Sequence, residues 1–211
     1  MTDTAPASAD GPEIVTAGTG WDEQVADRAE LDVSFSATGR DRATAVRDLG
    51  KRVAAAEPAL SVPGVTVRSR RLWVHTEWRG NRPSGCRASE DLALLVTDVA
   101  VLEELLNALV AVEPAALNGP RWTLEDPSAA LRSAQQRAVA DARERAEGYA
   151  AALGGLLGPL RRLSEAPEHG APVAYRMAAR AEAAVDVHDL GLEPEPVRVT
   201  AHCTTTWTLL P

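Results

Sequence analysis

The sequence predicts an α+β protein: largely antiparallel sheets with helices packed on one side, arranged as two-layer α/β sandwich lobes, with one long alanine-rich helix. Three observations carry this. Apolar residues alternate with polar ones in well-separated segments, most clearly in VRVTAHCTTTWTLL at residues 197–210, the period of a strand with one covered face. Between those segments the period changes to three and four, as in a helix. In the longest such stretch, alanine returns at every fourth position, Ala134, Ala138, Ala142, Ala146 and Ala150, which suits a helix lying close across a sheet.

Residues 1–12 are small, polar and punctuated by Pro and Gly, the composition of a disordered tail. In AELDVSFSATG, Leu31, Val33, Phe35 and Ala37 alternate with Asp32, Ser34 and Ser36, which predicts a half-buried strand. DRATAVRDLGKRVAAA then places Ala43, Val46, Leu49 and Val53 on one helical face, with an end expected before Pro58. In GVTVRSRRLWVHTEWRG the apolar phase flips between Val67 and Leu72, which calls for a bulge or bend near Ser69 to Arg71. GNRPSG at 80–85 reads as a turn and CRASEDLALLVTD as the returning strand of a hairpin.

Asp98 is placed to cap a helix whose face is Val99, Leu102, Leu105, Leu106 and Leu109. PRWTLED follows as a short strand. Asp126 before Pro127 is the N-cap signature of the longest helix, whose inner stripe of Leu131, the alanines, Tyr149 and Leu153 spans an arc of about 120°. Arg137, Asp141 and Arg145 form an i,i+4 ladder beside it. Gly154 and Gly155 stop the helix, and PLRRLSEA resumes extended structure. Residues 167–194 read as a mobile loop with a short helix in AYRMAARAEAA. One domain over 13–211 is expected, divisible into two lobes, 13–84 with 195–211, and 85–166.

The formal charge is −8 and the hydrophobic fraction 45%, so the molecule is globular and as a whole repels nucleic acid and anionic membranes. No apolar run approaches the roughly 20 residues that span a bilayer, and the opening residues lack the basic start of a signal peptide; a cytoplasmic location is expected. Cys86 and Cys203 are too few for a disulfide framework and read as reduced, buried thiols.

Four stretches together resemble the SIMPL family, a bacterial domain of unknown function. IVTAGTG followed by ADRAELDVSFSATG is similar to its paired N-terminal strands; GCRASEDLALLVTD is similar to the strand before its Leu-rich middle helix. The most specific is WTLEDPSAALRSAQQRAVADARERAEGYAAALGGLLGPLRRLSEA, where strand, capped Ala-rich helix, Leu-Gly pair and next strand follow in order, and EPVRVTAHCTTTWTL resembles the closing strand. Two positions depart: Ala26 stands where proline is usual, and Cys86 where an aromatic is usual. The resemblance implies an α+β fold, possible links to oxidative stress and the cell envelope in relatives, and no catalytic residues to carry over.

The motifs of common chemistries are missing: there is no G-x-S-x-G, P-loop, G-x-G-x-x-G after a strand or H-E-x-x-H. Gly18 and Gly20 in AGTGW read as a strand end or bend. His75 and Glu77 share a strand face, a pattern of two metal ligands or, more simply, of exposed strand residues; His202 and Cys203 face opposite sides. Asp186, His188 and Asp189 read as solvated loop charge. No cofactor, metal or small-molecule substrate is identified.

One stretch stands apart. Arg68, Arg70, Arg71, Arg79, Arg82 and Arg87 meet a single acid, Glu77, between residues 66 and 87, with Trp73 and Trp78 interleaved. Arg and Trp are enriched at protein interfaces. The expectation is therefore a non-enzymatic protein acting through self-assembly or partner binding on this hairpin; the alternative is an anion or single-stranded nucleic-acid binding module on the same surface.

Overall fold

The structure, a computed structural model, describes residues 11–165 and 192–211. The expected tail and loop fall largely outside these, as do AYRMAARAEAA, Asp186, His188 and Asp189. In chain order the elements are β1 (Glu13–Val25), β2 (Arg28–Gly39), α1 (Arg42–Leu60), β3 (Val65–Arg79), β4 (Arg82–Val96), a 3₁₀ turn at Val99–Val101, α2 (Leu102–Ala111), β5 (Ala116–Thr123), α3 (Ser128–Ala152), β6 (Leu156–Glu165) and β7 (Pro196–Leu210). This is the α+β class that the alternating periods predict.

The chain forms two compact units. Among the described residues one unit gathers 11–24, 126–165 and 198–211, and the other 25–125 and 192–197. The consecutive strands β1 and β2 enter different sheets, a division that no local pattern records.

The larger unit holds a four-stranded antiparallel sheet in the order β3-β4-β2-β5. Leu31, Val33 and Phe35 of β2 and Leu92, Leu94 and Val96 of β4 bury one face against α1 and α2. Each such fully buried side chain is worth about 1.5–3 kcal/mol. Asp41 caps α1 by accepting the Thr44 N–H at 2.8 Å, and Asp98 accepts that of Ala100 at 3.0 Å. The inner face of α1 is Ala45, Leu49, Val53, Ala56 and Leu60, so Ala43 and Val46 of the expected face lie outside. The helix also runs past Pro58, because burying Leu60 offsets the lost backbone bond.

The smaller unit holds a three-stranded sheet in the order β1-β7-β6. Thr16 meets Thr205, Thr19 meets His202 and Glu23 meets Arg198; one number rises as the other falls, so β1 and β7 run antiparallel. The buried stripe of α3 is alanine throughout, from Ala130 to Ala150. Tyr149 and Leu153 of the expected stripe are exposed instead. Gly18 and Gly20 are mid-strand, correcting their reading as a strand end: an added Cβ would fall 2.0 Å from the Ala138 carbonyl oxygen at Gly18 and 2.1 Å from that of Ala134 at Gly20. Glycine on the strand and alanine on the helix are two halves of one close contact. The helix begins at Ser128, one residue later than expected, with the Asp126 carboxylate still accepting the Ser128 N–H at 2.9 Å.

Candidate functional site

The Arg/Trp stretch forms the hairpin β3–β4, but its turn is tighter than GNRPSG. Arg79 pairs with Arg82, leaving only Gly80 and Asn81 in the loop; Gly80 supplies the positive φ of +61° that a two-residue hairpin turn needs. The expected bulge is found at Arg68, where the register shifts between Val67 and Ser69, and a second shift follows between Glu77 and Trp78. β3 is the terminal strand of its sheet.

Register and bulge sort the candidates. Arg70 lies on the helix-covered side, where it bonds Glu57 of α1 at 2.7 Å and approaches Glu90 at 3.5 Å. That hydrogen bond holds the Glu57 carboxyl below its usual value and raises the Arg70 guanidinium. Arg87 is held by Glu77 at 2.7 Å. Arg70 and Arg87 are thus compensated. Arg68, Arg71, Arg79 and Arg82 make no ion pair among the described residues. Beside them Leu72, Trp73 and Trp78 are 56%, 57% and 62% exposed, large apolar surfaces left to water.

The sheet face away from the helices also brings in acids that the linear window hid. Arg71 pairs in register with Asp91 and, with Trp73, lines a shallow depression shared with Asp32, Ser34 and Asp91. Ser34 Oγ donates to Asp91 Oδ1 at 2.6 Å. Carboxylates at the foot of the arginines repel a phosphate chain, whereas mixed charge around exposed aromatics suits a protein surface. His75 and Glu77 do share a face, and the Arg87 guanidinium bonds one oxygen of that carboxylate. His202 Nδ1 lies 3.1 Å from Thr19 Oγ1, while Cys203 on the opposite face is buried; its burial pushes the thiol up. The two cysteines are free and buried.

The SIMPL family, described as a protein of unknown function (DUF541), matches residues 14–207. The chain belongs to the SIMPL family. Comparison with curated proteins gives no match.

Within this SIMPL chain the Ala26 departure has a structural consequence. The Ala26 N–H donates to the Glu195 carbonyl at 3.1 Å, a bond that proline could not make. Cys86 fills a buried core position. A second aromatic cluster went unread in the sequence: Arg198 stacks 4.3 Å and Arg137 5.9 Å from the Trp21 ring centre. Both guanidiniums are also ion-paired, Arg137 with Asp22 at 3.1 Å and Arg198 with Glu23 at 2.7 Å. Both arginines lie more than a hundred residues from Trp21 in sequence, and only Trp21 within a strand hinted at it. With every charge answered, it works as a clasp holding β1 to α3 and β7. No helix is long and apolar enough to cross a membrane among the described residues.

Proposed function

We propose that this SIMPL chain is a non-enzymatic protein-docking module that uses the β3 edge and the tip of the β3–β4 hairpin as its contact surface. One observation carries the reading: Arg68, Arg71 and Arg79 of the terminal strand β3, with Arg82 just across the turn, make no ion pair among the described residues and gather with two half-exposed tryptophans of β3, in a chain of net charge −8. Arg and Trp in such a setting supply most of the energy at protein interfaces, because both bury large planar surface at small entropic cost. No strand pairs with the outer side of β3 among the described residues, and such an edge adds peptide groups that a partner can complete. The fitting partner presents acidic and apolar groups together.

Photo-crosslinking in the producing cells tests this. A benzophenone side chain in place of Trp78 is expected to give protein adducts, whereas the same group in place of Tyr149, equally exposed at 61% on α3, is expected to give few. Equal yields from the two positions, or none from position 78, would overturn the docking role.

A further inference from the structure

Resting on that docking reading, we propose that the partner of the β3 edge is a second copy of this chain, joined strand to strand in antiparallel fashion about a two-fold axis at Val74. Between the irregularities at Arg68 and after Glu77, β3 runs regularly over Ser69–Glu77. Among the described residues no strand pairs with its outer side, which makes it a long edge of the kind that natural sheets ordinarily shorten or cover. Pairing with β4 places Arg71 opposite Asp91, Trp73 opposite Ser89, His75 opposite Arg87 and Glu77 opposite Gly85. These four residues of β3 therefore share the face away from the helices.

An antiparallel two-fold pairing within one continuous sheet keeps each residue on its own face, so only a few registers are open. With the axis at Val74, Arg71 faces the partner's Glu77 and Trp73 faces the partner's His75, each pair occurring twice. On the covered side Val74 meets its own copy and Leu72 meets the partner's Thr76. Moving the axis to Trp73 sets Arg71 against His75 and Glu77 against Ser69. Moving it to His75 sets Arg71 against Arg79. Of these three, the Val74 register alone sets an arginine against a glutamate, the arrangement that stabilises cross-strand neighbours.

The groups needed are available. Arg71 has no ion pair among the described residues. Arg87 takes Glu77 through Oε1, which leaves the other carboxylate oxygen to a second guanidinium. The same pairing covers Leu72 and Trp73, whose exposure is otherwise unexplained.

Light scattering on the purified 211-residue chain, from about 10 μM to 1 mM because an interface of one strand is small, is expected to show mass rising toward twice 22.3 kDa. Arg71→Glu places like charges opposite one another at two sites, and Glu77→Arg does the same with the opposite sign. Each variant alone is expected to associate about tenfold or more weakly than the parent. Mixed together they regain two opposite pairs and are expected to form a heterodimer, a result that a change in folding alone would not produce. Circular dichroism confirms that both retain their sheet. A parent chain that is monomeric throughout, variants that dimerise as well as the parent, or variants that fail to associate on mixing would each overturn the self-pairing. Adducts from position 78 to a different protein, with a monomeric purified chain, would leave docking standing and remove the second copy. Absence of adducts would remove docking itself.

Discussion

Asp141 shows how much one carboxylate on α3 can organise. Its Oδ2 accepts the Thr19 N–H of β1 at 2.9 Å and its Oδ1 accepts from Arg145 at 3.0 Å. The backbone hydrogen bond, with help from Arg145, holds its pKa below the ordinary value of 3.8. A carboxylate whose pKa is depressed by folding stabilises the fold above its unfolded pKa, and that contribution is lost as pH falls through the lower folded value. Asp141→Asn keeps an acceptor and removes the charge, so it is expected to lower the urea midpoint at neutral pH, with the gap to the parent closing as pH falls through the lowered folded value. A gap of constant size across that range would show that the charge contributes nothing. The Arg145 half of this arrangement was legible as an i,i+4 pair. The Thr19 half was not, since its partner lies 122 positions away and a backbone N–H leaves no mark in the sequence.

At the level of the element, the contact between α3 and its sheet sets the tolerance for side-chain size. Ala142 is fully buried, its Cβ lies 2.7 Å from where a Cβ on Gly18 would fall, and Ala140 on the same helix is exposed. Ala142→Leu is expected to cost about 1–3 kcal/mol or more by overpacking, and Ala140→Leu close to nothing. Equal denaturation midpoints for the two would show that the stripe is not pressed against the strands. The alanine stripe could be read directly because a four-residue period is a local signal. Its C-terminal end was misread: an arc of about 120° admitted Tyr149 and Leu153, whereas the buried stripe is narrower and ends at Ala150. Gly18 and Gly20 were misread for the complementary reason, since the need for glycine is created by a helix more than a hundred residues further on. The hairpin was legible as a concentration of arginine and tryptophan. The neutralisation of Arg70 and Arg87 was not, because Glu57 comes from a helix packed on the strand and the pairing of Arg87 with Glu77 depends on register.

Across the whole molecule, the two units differ in how continuous they are, and this makes their autonomy testable. Among the described residues the larger unit has a core of nineteen buried residues, all between Ala29 and Leu109, so this apolar cluster lies in one stretch of chain. Leu192 adds a partly buried contact and Glu195 accepts the Ala26 N–H; losing both weakens the unit without opening its core. The smaller unit draws β1, α3 with β6, and β7 from three separate segments, and its core is small: Ala134, Ala138, Ala142, Ala201 and Cys203, beside Ile14, Ala146 and Ala150. Without β1 it loses Ile14 and leaves the buried Thr205 hydroxyl without Thr16, its 3.0 Å partner. Cores of about a hundred residues are large enough to fold alone, whereas small ones missing an element are not. The fragment Val25–Glu125 is therefore expected to unfold in a single cooperative step in urea, followed by circular dichroism and by the fluorescence of Trp122, which packs against the core. Residues 126–211 alone are expected to show no such transition. A gradual, non-cooperative loss of signal from Val25–Glu125 would mean that its core depends on the segments returned by the distant end of the chain, and that the two sheets fold as one.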